Sequence, residues 1–232
     1  MLGYGRLVPI TLRAHRLMCL FAEGRTGQPL LDDAYVKLIL VSRGIGKSTI
    51  ITQAHALQLA LKYPDGAFLV VNETERGAVK FLSAIKQQMT DNALLRALFP
   101  ERLHGDPEQD WKKWSETEVV IPGRTTARKE SSLQAIGGGG SITGLHPDKA
   151  LGDDMISDEA MENARAGLFS LMEKTNRWVS RLRPIVNTGE PHFGFWAVGT
   201  TWREDDCYDY VRRAFGYGDA VTKVRLKQTL PG

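Results

Sequence analysis

Cysteine is scarce in this 232-residue chain: Cys19 and Cys207 are the only two, far apart and without metal-ligand spacing. That excludes a disulfide-stapled scaffold, and both read as small, reduced apolar residues of a cytosolic protein. The five histidines, at positions 15, 55, 104, 146 and 192, form no cluster, which argues against a zinc site. No apolar run approaches the roughly 18 residues that a membrane-spanning helix needs. Residues 1–9 lack the uninterrupted apolar core of a signal peptide. Internal repeats and long low-complexity tracts are also missing. Neither sign of charge dominates: 30 Lys and Arg face 27 Asp and Glu, a formal net charge of +3. Such a mildly basic balance permits a nucleic-acid partner without identifying one. What remains is a chain with 42% hydrophobic residues, enough to build a core, and a length that suits one α/β domain with room for a small appendage.

Hydrophobic periodicity divides the chain into alternating strands and helices. Residues 10–23 predict an amphipathic helix with Leu12, Leu17, Leu20 and Phe21 at helical spacing. Val36 to Val41 is the first core strand, and Lys47 to Tyr63 a helix ended by Pro64-Asp65-Gly66, a strong turn signal. Ala67 to Val71 is a second buried strand, Thr74 to Met89 a second long helix, and Phe99-Pro100 closes a shorter helical piece. Further strands are expected at Glu118 to Ile121, Ser132 to Ile136, Lys149 to Asp153 and Phe193 to Val198. Helical sequence runs from about Asp158 to Leu182 and again from Asp205 to Phe215. The alternation predicts a central, mostly parallel sheet with helices on both faces.

The stretch Val41-Ser42-Arg43-Gly44-Ile45-Gly46-Lys47-Ser48-Thr49 joins the first strand to its helix. Strand, glycine-containing loop, Lys-Ser and helix is the layout of a nucleotide phosphate cradle. Gly44 and Gly46 let the backbone curl so that successive N–H groups face phosphate oxygens, and the helix N-terminus adds partial positive charge. Lys47 can reach the β- and γ-phosphates, and the Ser48 hydroxyl can join a magnesium shell. The usual first glycine is replaced by Val41.

ATP hydrolysis also needs a carboxylate on a neighbouring strand and a base near the attacking water. Asp153-Asp154, ending Lys149-Ala150-Leu151-Gly152, is the candidate pair, with one carboxylate for the metal and one for water. The strand carries Lys149 and Gly152, poor residues for a buried core, so an exposed Gly-Asp-Asp turn is the competing reading. Glu159 could supply a longer carboxylate, and Asp158 reads as the cap of the following helix. Gly199-Thr200-Thr201 ends the last strong strand, where strand ends of a parallel sheet face the ligand. Those threonines could sense a γ-phosphate or simply form a turn.

Taken in order, these motifs resemble the ATPase domain of the large terminase subunit of tailed bacteriophages. They are the helix with Arg13 and His15, the Ser42–Thr49 loop, Leu69-Val70-Val71-Asn72, Phe99-Pro100, Trp114, Gly144 to Asp148, Gly152-Asp153-Asp154, and Val198 to Asp206. The resemblance spans about Leu12 to Phe215. It implies a P-loop NTPase fold, with residues 1–25 as an adenine-side helix region and 36–215 as the core. By the same resemblance Ser42, Arg43, Gly44, Ile45, Gly46, Lys47, Ser48 and Thr49 bind ATP, with Arg43 as the arginine that terminases place in this loop. Ser48 and Asp153 hold Mg2+, and Asp154, where the family has glutamate or aspartate, activates water with Glu159 as its rival. Gly199, Thr200 and Thr201 match the motif that couples hydrolysis to DNA movement. His15 stands where the family often has an adenine-contacting glutamine. Arg124 and Arg128 are the nearest candidates for an arginine offered to a neighbouring subunit.

The implied function is ATP-driven translocation of double-stranded DNA into a capsid in the host cytoplasm. Its partners would be the other subunits of a ring on the portal and a small terminase subunit. The segments Arg124 to Lys129 and Gly137 to Thr143 are candidate mobile elements. The chain stops at Gly232, short of the family's C-terminal nuclease, so no cleavage activity is expected. The rival readings are a helicase-like DNA-dependent ATPase, which would need a second domain, and an assembly domain that binds nucleotide without turnover.

Overall fold

The computed structural model describes residues 12–188, 193–200, 206–215 and 221–225. Its strands are β1 (Val36–Leu40), β2 (Phe68–Asn72), β3 (Lys113–Trp114), β4 (Glu118–Val120), β5 (Leu133–Gly137), β6 (Lys149–Asp153), β7 (Gly194–Gly199) and β8 (Val221–Arg225). They form one sheet in the order β3-β4-β5-β2-β6-β7-β1-β8. All neighbours from β5 to β8 run parallel, while β3 and β4 form an antiparallel margin. The chain is therefore α/β with a mostly parallel sheet, as the alternation predicted. β3 and β8 are additions that the periodicity did not signal.

Burial on both faces explains why β1, β6 and β7 are buried along their whole length. On one face Ile39, Phe68, Val70, Leu151, Trp196 and Val198 pack against helices α1 (Leu12–Ala22), α3 (Ala56–Lys62) and α4 (Glu75–Asp91). On the other face Leu38, Leu40, Val71, Phe195 and Ala197 pack under α7 (Asp158–Arg165), α8 (Ser170–Ser180) and α10 (Cys207–Phe215). Short helices α2 (Pro29–Asp32), α5 (Ala93–Leu98), α6 (Pro107–Asp110) and α9 (Leu182–Ile185) complete the connections.

Several boundaries differ from the sequence expectations for physical reasons. In α1 the residues turned inward are His15, Met18, Phe21 and Ala22, whereas Leu17 is exposed, so the apolar stripe is rotated from the one expected. Cys19 is exposed too, unlike buried Cys207. The helix after the loop opens as a π-type segment, Ser48–His55, before tightening into α3. The expected long helix from 158 to 182 is broken after Arg165, where Gly167 takes a positive φ. Ser157, not Asp158, caps α7, accepting a hydrogen bond from the Ala160 N–H at 2.8 Å. No helix among the described residues is long and apolar enough to cross a membrane.

Candidate functional site

β1 delivers the chain to the loop at Val41, whose N–H donates to the Gly199 carbonyl of β7 (3.1 Å). Gly44 and Gly46 then adopt φ of +84° and +69°, a conformation that costs a side-chain-bearing residue of order 1 kcal/mol or more. These two turns fold the loop back so that the helix starts at Lys47. Ser42, Arg43 and Gly44 are exposed, Ile45 and Lys47 buried, and Gly46, Ser48 and Thr49 half-buried. His15 lies beneath this loop, its Nε2 2.8 Å from the Ile45 carbonyl oxygen. Its role in the structure is thus to hold the loop from α1; adenine contacts involving residues 1–11 lie outside the described residues.

The carboxylates come from β6, which is separated from β1 by β7 rather than paired with it. β7 sits between the two, and its end touches both parts. Asp153 is fully buried, and its Oδ2 accepts a 2.5 Å hydrogen bond from the Thr52 hydroxyl. The Ser48 hydroxyl lies close to the same carboxylate. Asp153 Oδ1, equally buried, has no partner among the described residues. Burial pushes the Asp153 carboxyl up to about 6, with the neighbouring Asp154 charge adding to it and the two hydroxyls and Lys47 opposing.

Asp154 is half-exposed and receives the Lys47 ammonium at 3.2 Å from its Oδ2. It is the one non-glycine with positive φ among the described residues, at +41°. Such a conformation persists when its surroundings over-determine it, and here they do. The Asp154 N–H donates to Val198 O of β7 (3.0 Å). The Asn72 carboxamide, at the end of β2, donates to Asp153 O (2.8 Å). Tyr208 of α10, fully buried, donates its hydroxyl to Val198 O and accepts the Met155 N–H, both at 3.2 Å. Thr200 donates to Val41 O at 3.2 Å, so the β7 end grips the root of the loop. Thr201 lies outside the described residues.

Other expected residues are placed elsewhere. Glu159 is exposed and lines a cavity of about 140 Å3 with Glu73, Gly138 and Trp178. Arg43, Asn72, Glu73 and Asp154 line a different one of about 200 Å3. Arg43 reaches Asp158 at 3.2 Å across the mouth of the latter. Arg124 donates to the carbonyls of Pro64, Gly66 and Glu130, and Arg128 to Asp148 (2.6 Å) and to the carbonyls of Asp65 and His146. Both guanidinium groups are committed within the chain, at the end of the sheet away from the loop. The segment around them is hydrogen-bonded to the rest of the chain: the Asp65 carboxylate takes four hydrogen bonds from Thr125 and Thr126, which hold its carboxyl well below the usual range. Gly137 to Thr143 is likewise pinned, through Gly138 N–H to Asn72 O and the Trp178 indole to Gly140 O.

Sequence reasoning missed Thr52, Asn72, Glu73 and Tyr208. Thr52 follows Ser48 by four residues, a helix-face spacing that could have flagged it. Asn72 ends a buried strand, the position from which a polar side chain reaches the ligand edge. Glu73 and Tyr208 carry no motif. No protein-family model matches the chain, and no curated protein matches it either.

Proposed function

We propose that this chain is a P-loop ATPase domain of the large-terminase kind, hydrolysing ATP to move double-stranded DNA. One observation carries the reading: the Lys47 ammonium, the Ser48 hydroxyl and the Asp153-Asp154 pair converge at the C-terminal ends of parallel strands, behind a doubly left-handed glycine loop. Magnesium is commonly held by few protein ligands together with substrate phosphates. Asp153 Oδ1, buried beside Ser48 without a partner among the described residues, fits that ion. Bound there, Mg2+ would neutralise charge on the phosphates.

The chain's own residues divide the remaining work. The loop N–H groups cradle phosphates, and Lys47 turns from Asp154 to the β- and γ-oxygens. Released from that ion pair, Asp154 is available to accept a proton from the attacking water. Thr200, hydrogen-bonded to the loop root, senses loop position and passes it to the segment that follows β7. DNA contacts would be mainly to phosphates, hence sequence-independent and salt-sensitive. A ring of identical subunits on a capsid portal, aided by a small terminase subunit, is the assembly this reading implies.

Phosphate release by wild type, Lys47→Ala and Asp153→Ala tests the site. Each variant should fall by roughly 10²-fold or more, and equal activity in all three sinks the assignment. Turnover stimulated by DNA without strand separation supports a motor over a helicase. The Lys47–Asp154 ion pair favours one alternative, a domain that binds nucleotide and does not turn it over. Saturable nucleotide binding with no phosphate release at any DNA or protein concentration would establish that alternative.

A further inference from the structure

One sizeable cavity among the described residues does not belong to the loop. It holds about 380 Å3 and lies under α1 and α3, at the N-terminal ends of β1, β6 and β7. Lys149 and Asp153 open and close the same five-residue strand on one face, so the cavity floor lies about 13 Å from the carboxylate site. The exposed rim carries Glu23, Arg25, Asp33 and Lys62, and the floor is made by buried Lys37, His55, Lys149 and Trp196.

The polar groups of that floor are unevenly satisfied. Lys37 donates to the carbonyls of Phe21 (2.9 Å) and Asp32 (3.2 Å). Lys149 is 1% exposed, and its Nζ stands 3.5 Å above the centre of the Trp196 ring. Among the described residues it has neither a carboxylate nor a hydrogen-bond acceptor. The adjacent Asp148 is taken by Arg128, Asn187 and the Ala67 N–H. His55 stacks on Trp196 at 4.6 Å and gives its Nδ1 proton to Gln58, which leaves Nε2 as a buried lone pair with no partner among the described residues. Among the described residues the buried Trp196 indole N–H is likewise without a partner. Burial, and then the neighbouring Lys37 charge, push the Lys149 amine well below its ordinary value, so it is a counter-charge that would hold it as an ammonium.

We propose that this cavity is an anion site for a phosphate group, with Lys149 as its principal cation and Lys37 as the second. The ionised oxygens of a phosphate match the two lysines, both of which line the cavity. The two acidic and two basic residues of the rim balance each other, so the positive charge is confined to the floor, which only a small ligand reaches. The volume leaves room beyond a bare phosphate, so free phosphate and a phosphate monoester share the required chemistry. The proposal does not depend on ATP hydrolysis.

The experiment is thermal unfolding and tryptophan fluorescence of the whole chain, titrated with inorganic phosphate against chloride at constant ionic strength. At ten times its dissociation constant, phosphate should raise the unfolding midpoint by roughly 3–6 °C. The response should persist in Lys47→Ala, which disables the loop, and vanish in Lys149→Met, which keeps the aliphatic volume. A larger response to ribose 5-phosphate than to phosphate identifies a monoester as the ligand, and an equal one identifies the free ion. The proposal is overturned if phosphate acts no differently from chloride. It is equally overturned if Lys149→Met responds like wild type. A Lys149→Met protein more stable than wild type with no phosphate response in either means that Lys149 sits neutral in an empty cavity.

Discussion

At the residue scale the site turns on one backbone choice. Asp154 takes a left-handed conformation that aspartate and asparagine tolerate better than most residues, and this aims its carboxylate at Lys47 instead of continuing along β6. Asp154→Asn should keep the conformation and lose the charge. Phosphate release should drop by about 10²–10⁴-fold, with the urea midpoint within about 0.5 kcal/mol of wild type. Asp154→Ala should match that loss of activity and cost about 1 kcal/mol more in stability, because alanine resists the left-handed region. Glu159→Gln is the control that separates the two candidate bases. Glu159 lines a different cavity, so this variant should keep activity within a few-fold. An inactive Glu159→Gln beside an active Asp154→Asn would reverse the assignment.

At the element scale α10 fastens the site from behind. Tyr208 reaches from that helix to bridge Val198 of β7 and Met155 just after β6, and Gly199 leaves the space it occupies. A Cβ at Gly199 would lie 2.0 Å from the Tyr208 hydroxyl. Tyr208→Phe strands a buried N–H, which should cost about 1–3 kcal/mol, read as a lower urea midpoint at unchanged slope. An unaltered midpoint would show that the bridge contributes nothing. None of this bracing was legible beforehand. β1, β2 and β7 declared themselves through apolar runs, and β6 was placed at Lys149–Asp153 despite its lysine and glycine. Lys149 succeeds in that strand because its head reaches the Trp196 ring, a tertiary fact that no local pattern contains. β8 alternates Val221, Lys223 and Arg225 with Thr222 and Val224, a mixed signal too weak to separate from loop. The loop and the paired aspartates were readable because their chemistry constrains adjacent residues. Thr52, Asn72 and Tyr208 serve the same site from separate elements, and only the sheet order brings them together.

At the scale of the whole molecule, the two ends of the sheet titrate in opposite senses. His55, buried against Trp196, is held down to about 3, first by burial and then by the Lys149 charge. The unfolded chain protonates it near its ordinary value of about 6.5. Its contribution to stability is therefore complete above that pH and is lost as pH falls toward 3. Asp153 is raised to about 6 by burial, against an ordinary value of about 3.9. Its contribution is complete below the ordinary value and is lost as pH rises through 6. From about pH 4 to 6 the folded protein lacks the histidine proton and carries the aspartate proton, so the two slopes cancel, each worth about 1.4 kcal/mol per pH unit. His55→Phe keeps the ring stack and removes one side of this balance, and its stability relative to wild type should fall as pH rises across that window. Asp153→Asn removes the other side, and its relative stability should rise. Urea unfolding of the three proteins with magnesium chelated reads both slopes, and parallel profiles would show that neither group is perturbed by its surroundings.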